Sequence, residues 1–92
     1  MFILVCFDIV DDKHRRLVVK IIKDHGVRVQ KSVFECADLT EHRFLKMKDD
    51  IEQVIDHLND SVRYYSFCRH CLKLVEYSGL GDPPRQEDYA VV

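Results

Sequence analysis

The spacing of apolar residues changes repeatedly along these 92 residues, and each change marks an element. Residues 2–7, Phe-Ile-Leu-Val-Cys-Phe, are apolar without interruption, which predicts a central strand covered on both faces. Asp11 or Asp12 then offers an N-cap, where a carboxylate accepts from free first-turn amides. Leu17, Val18, Ile21 and Ile22 share one face of the ensuing helix, Lys13, Arg16, Lys20 and Lys23 share the opposite one, and Gly26 follows as a C′ residue. In residues 27–36, Val27, Val29 and Val33 alternate, Lys31 interrupts one face, and Phe34 and Cys36 make the other apolar. A bulge or bend near residues 30–32 reconciles the two patterns. Asp38 with Glu41, or Thr40 instead, caps a second helix whose apolar face is Phe44, Met47, Ile51, Val54 and Leu58. Asn59-Asp60 turns the chain. Residues 61–67 and 72–77 read as strands around a short Cys68–Cys71 loop, residues 78–86 as a linker, and Asp88–Val92 as a fifth strand.

If residues 27–36 break at the bend, the order becomes βαββαβ with one additional strand. If they do not, the closing hairpin replaces that pairing. The first option is favoured because right-handed crossovers then place both helices on one face of an antiparallel sheet. The expectation is an α+β, ferredoxin-like domain over residues 1–78, with residues 79–92 as a linker and terminal strand.

A chain this short buries only about 60–65% of its unfolded surface, so oligomerisation would help it. No apolar run reaches the roughly 18 residues of a membrane span, and the start lacks the basic region of a signal peptide. A cytoplasmic protein without a disulfide framework is expected. Cys6 and Cys36, inside strand-like runs, read as small buried hydrophobes. The net charge of −2 argues against a uniformly basic nucleic-acid binder, yet it hides an asymmetry. Lys13, Arg15, Arg16, Lys20, Lys23, Arg28 and Lys31 face only Asp24 within residues 13–31, giving that segment +6 and the remainder −8.

Asp8 ends the apolar run, and an acid there must reach solvent or find a cation. It either pairs with Arg15 or Arg16, or caps the first helix, or binds a hard metal. Mg²⁺ is commonly held by one or two carboxylates with waters and phosphate oxygens, and a two-fold dimer would supply a second Asp8. The cationic stripe is either a solvated helix face or, since acidic i,i+4 partners are nearly absent, a phosphate-backbone site.

Cys68-x-x-Cys71 lacks the second pair a structural zinc site needs. A thioredoxin-type pair would open a helix, whereas this one is expected between two strands, so a plain hairpin turn is the favoured account. Heavy-metal-binding ferredoxin-like domains would place such a pair before the first helix. Tyr64, Tyr65 and Phe67 lack the signature of an RNA-recognition sheet and are assigned to packing. No Gly-rich phosphate loop, Ser/His/Asp set or HExxH is present, and His14, His25, His42 and His57 read as surface residues on helical segments.

At "CFDIVDDKHRR" and "VQKSVFEC" the chain resembles the small CRISPR-associated Cas-two family, which takes part in capturing new spacers. The likeness extends through Gly26, "DSVRYY" at residues 60–65 and the Cys68–Cys71 segment. It implies a ferredoxin-like homodimer whose terminal strand packs on the partner's sheet, bridging copies of the acquisition integrase on DNA. It also implies, for some members, Mg²⁺-dependent cleavage of RNA or double-stranded DNA, and Mn²⁺ is a candidate alternative ion. Asp8 matches the family's metal-binding and catalytic acid, Arg16 a basic position, and Ser32 and Phe34 a segment near the site. Phe7 stands where many members place Tyr. An exposed Tyr-Ala-Val-Val would be an edge-strand hazard, and exchange across the dimer would remove it.

The expected function is a metal-dependent endonuclease binding nucleic acid through Lys13, Arg15, Arg16, Lys20, Lys23, Arg28 and Lys31. The rivals are a non-catalytic DNA-binding adaptor of the acquisition complex, a toxin-like endoribonuclease, and, by fold analogy alone, a small-molecule-binding regulatory domain.

Overall fold

The computed structural model describes residues 1–84. The elements are β1 (Phe2–Asp8), α1 (Asp12–Lys23), β2 (Val27–Gln30), β3 (Val33–Cys36), α2 (Glu41–Val54), β4 (Ser61–Phe67) and α3 (Arg69–Lys73). The strands form one antiparallel sheet in the order β2-β3-β1-β4, the ferredoxin-like arrangement expected. The break within residues 27–36 is real. Lys31 and Ser32 turn the chain, and the β2–β3 register shifts between Arg28 and Gln30. The proposed terminal strand, Asp88–Val92, lies outside the described residues.

β1 is central, with Val5 opposite Phe34 on one side and Tyr64 on the other. Its alternate residues Ile3, Val5 and Phe7 are buried with Phe34 and Cys36 against Val18 and Ile22 of α1 and Met47 and Ile51 of α2. Both helices therefore cover the same face. On the opposite face Leu4 and Cys6 are only half-buried, so β1 is not covered on both sides within one chain. Asp11 caps α1 by accepting from the His14 amide at 2.9 Å, and Thr40 caps α2 by accepting from the Arg43 amide at 3.1 Å. Asp38 does not cap; its φ of 55° places it in the turn before.

Four further expectations need correction. Leu17 is 42% exposed, because α1 turns Val18 and Ile22 inward and leaves Leu17 at the margin. Leu58 continues the α2 spacing but is exposed, since the helix stops at Val54 and Asp56 organises a new turn. The Asp56 carboxylate there accepts from the Leu58 amide and the Asn59 side chain. Gly26 is not a left-handed cap; positive φ among the described glycines belongs to Gly79 and Gly81. Its need is space, because a Cβ would lie 2.5 Å from the Glu35 carbonyl oxygen and 2.6 Å from the Cys36 sulfur.

The fourth correction concerns residues 68–77, which are not a hairpin and strand. Cys68 caps the short helix α3, and Leu72 turns into the structure while Leu74, Val75 and Tyr77 stay exposed. The apolar alternation of that segment suits a strand, but no described strand pairs with it.

Candidate nucleic-acid interface

Asp8 is the last residue of β1, paired across the sheet with Ser61, and its side chain is exposed. Among the described residues it takes part in no ion pair or side-chain hydrogen bond. The anticipated bridge to Arg15 or Arg16 does not form, because Arg15 pairs with Asp12 instead. Asp8 borders a small hollow of about 270 Å³ with Phe7, Ile9, Arg15, Lys31 and Ser32.

Each wall of this hollow is held by identifiable bonds. The Phe7 amide donates to the Ser32 carbonyl at 3.1 Å, fixing the β2–β3 turn beside the end of β1. Arg28 donates to the Lys31 carbonyl through Nε at 3.0 Å and Nη2 at 2.5 Å, and its guanidinium stands 5.7 Å from the Phe34 ring centre. Arg15 donates to the Ile9 carbonyl at 3.2 and 2.8 Å and to the Val10 carbonyl at 3.2 Å. On the other side, Asp60 accepts from the Val10 and Asp56 amides at 3.0 and 2.9 Å, tying the loop after β1 to the start of β4. Sequence reasoning missed Asp60, whose adjacency to Asn59 reads only as a turn signal.

The first-helix cations gather in a larger groove of about 440 Å³, lined by Arg15, Arg16, Val19, Lys20, Lys23, Asp24 and Arg28. Arg16, Lys20 and Lys23 are exposed there and form no ion pair among the described residues. Arg15 and Arg28, grouped with them from sequence, spend part of their donors on backbone carbonyls and so also hold loops in place. Lys13 is exposed on the same helix but does not line the groove, and Lys31 belongs to the Asp8 hollow.

Phe7 and Phe34 stack with ring centres 6.2 Å apart, and Phe34 is wholly buried, so it supports the hollow from behind. The packing role of the β4 aromatics is visible in a Phe2–Phe67 stack at 5.9 Å and a Phe44–Tyr64 edge contact at 5.6 Å. Burial pushes the Tyr64 phenol up to about 12 and raises the Glu35 carboxyl. No three His, Cys, Asp or Glu side chains converge as a metal cluster among the described residues. Asp8 is the one carboxylate lining the hollow, and Asp24 lies among the cations of the groove.

The sequence and the fold both have counterparts among known proteins. The family model described as CRISPR associated protein Cas2 matches residues 1–75. A curated relative from Chloroflexus aurantiacus, named CRISPR-associated endoribonuclease Cas2 3, is 38% identical over 81 residues, covering 88% of this chain and 86% of that one. One from Moorella thermoacetica, named CRISPR-associated endoribonuclease Cas2 1, is 36% identical, covering 87% and 88%. The crystal structure of Streptococcus pyogenes Cas2 at pH 6.5 superposes with a TM-score of 0.76 at 37% identity, over 86% of this chain and 100% of that one. A chain of a partial Cas6-RT-Cas1–Cas2 complex superposes at 0.75 with 31% identity, over 99% and 97%. By the match of the family model to most of its length, the chain belongs to the CRISPR-associated Cas2 family.

Proposed function

We propose that this chain serves CRISPR spacer acquisition in the cytoplasm as a homodimer. It binds the backbone of RNA or double-stranded DNA along the α1 groove and cleaves phosphodiesters at Asp8 with Mg²⁺ or Mn²⁺. Two relatives are named endoribonucleases, and one similar chain comes from a complex that includes Cas1, which supports a Cas1-type integrase as partner. The observation that carries the reading is the exposed Asp8 carboxylate, without an ion-pair partner among the described residues and bordered by Lys31.

A lone carboxylate fits a hard divalent ion, which takes oxygen ligands and leaves most positions to water and phosphate. When bound, the ion supplies charge neutralisation on the phosphodiester and a more acidic water. Asp8 would anchor it, with the partner subunit's copy completing a pair across the two-fold axis. Lys31 contributes positive charge beside the scissile group, while Arg16, Lys20 and Lys23 hold the backbone in the groove. The exposed Tyr65 and Val27 and half-buried Leu4 on the face away from the helices favour self-association.

The deciding measurement is cleavage of RNA and duplex DNA by wild type and Asp8→Ala, each with Mg²⁺ and with EDTA. Loss of cleavage in both the variant and the chelated sample is expected; equal cleavage in all four arms sinks the metal role. The single acid per chain also favours a second reading, a non-catalytic clamp that positions DNA for the integrase. That clamp shows no cleavage in any arm yet retains salt-sensitive duplex binding.

A further inference from the structure

Cys68 and Cys71 remain unused by the site just described, and the strongest objection to a chemical role for them has fallen. They do not flank a hairpin turn but open a helix. Cys68 is the N-cap of α3, and its sulfur accepts from the Cys71 amide at 3.5 Å. The two sulfurs lie 3.4 Å apart and both residues are exposed. A disulfide requires about 2.05 Å between sulfurs, so closure asks for a movement of about 1.4 Å by two exposed side chains. The anchor of α3, Leu72, is already buried, and the core need not move.

We infer that Cys68 and Cys71 are a redox-active dithiol, closed to an intrachain disulfide by low-molecular-weight disulfides of the glutathione class. The Cys68 thiolate attacks one sulfur of the small disulfide. That S–S bond breaks, one thiol leaves with the electron pair and takes up a proton, and a mixed disulfide remains on Cys68. Cys71 then gives up its proton and attacks the Cys68 sulfur, releasing the second small thiol. The protein loses two electrons and two protons, and the small disulfide becomes two thiols.

The order of attack follows the local hydrogen bonds. The Cys71 amide, and then the Cys71 thiol, hold the Cys68 thiol below its ordinary range, while the bond to Cys68 raises Cys71. The other two cysteines are internal controls. Cys36 is fully buried and pushed up to about 11, and burial also raises Cys6 on β1. Cys6 lies in β1 and Cys36 in β3, so the exposed pair at this corner is Cys68 and Cys71. The bond would fix the first turn of α3 and hence the direction in which residues 74–84 leave the domain.

The test equilibrates the full chain at neutral pH in oxidised and reduced glutathione mixtures, quenches with acid, and counts alkylatable thiols by mass spectrometry. On going from reducing to oxidising mixtures the count falls from all four cysteines to two, with one peptide pair joined at Cys68 and Cys71. In Cys71→Ser the same mixture leaves a glutathione adduct on Cys68 that does not resolve. Cys68→Ser puts a hydroxyl oxygen in place of the capping sulfur and retains three alkylatable thiols. Four reactive thiols throughout, or a bond that joins two chains instead, would overturn the assignment. None of these readouts depends on nuclease activity or DNA binding.

Discussion

Replacing Arg16 and Lys20 by alanine should remove most of the salt sensitivity of duplex binding. The groove is lined by five cations, but Arg15 and Arg28 already donate to the carbonyls of Ile9, Val10 and Lys31. Three exposed cations, Arg16, Lys20 and Lys23, are left to displace counterions from phosphates. If each neutralises one phosphate, log K falls against log salt with a slope of about −2.7 per groove, and raising salt from about 50 to about 200 mM weakens binding roughly 40-fold. The double variant keeps Lys23 alone, so its slope drops to about −0.9 and the same salt change costs only about 3- to 4-fold. Two grooves on one duplex double both slopes and leave their ratio near three, so the ratio is the robust quantity. Fluorescence anisotropy on a labelled duplex across a salt series measures it, with replacement of Lys46 and Lys48 on α2 as a control. An unchanged slope in the groove variant, or an equal drop in the control, refutes the assignment of this helix face to phosphate.

Gly26→Ala should destabilise the fold by about 1–3 kcal/mol, because the added methyl meets the backbone of β3 where little can yield; a denaturant midpoint equal to wild type would contradict this. Arg15→Lys should cost about 1–2 kcal/mol and reduce binding despite keeping the charge, since a single ammonium lacks the planar fork that reaches the Ile9 and Val10 carbonyls and Asp12 together; paired urea melts and anisotropy measure the two effects. His25 is held below the ordinary histidine value of 6.5 by burial and then by the Arg43 guanidinium. Folding therefore favours its neutral form, so the unfolded chain binds more protons as pH falls below that value. Stability from this group is complete above 6.5 and declines toward acid, and urea midpoints followed down to about pH 5 should fall less in His25→Gln than in wild type. Parallel curves would exclude it.

Local chemistry made much of this molecule readable. The uninterrupted run at residues 2–7, the cap at Asp11 and the spacing of Val18, Ile22, Met47 and Ile51 specify strands and helices through near neighbours, and the structure builds them where expected. The mismatch of Lys31 with its flanking apolar alternation likewise marked the β2–β3 break, because a register error is visible in sequence period alone. The resemblance implies Ser32 near Asp8 but leaves Lys31 as one cation in the basic segment, and the hollow they share depends on Phe7 bonding to the Ser32 carbonyl across the sheet. Long-range contacts settled the rest. Gly26 reads as a helix cap until β3 is seen to pass within the volume of its missing Cβ. Arg15 and Arg28 carry the same charge as Lys20 in a string of letters, yet only folding brings carbonyls to their guanidinium groups. Residues 72–77 alternate like a strand, but a strand needs a partner edge, and the bond from the Cys71 amide to Cys68 with the burial of Leu72 favours a helical turn. Periodicity records which face of an element is apolar; what that face, or a spare hydrogen-bond donor, meets is decided by segments distant in the chain.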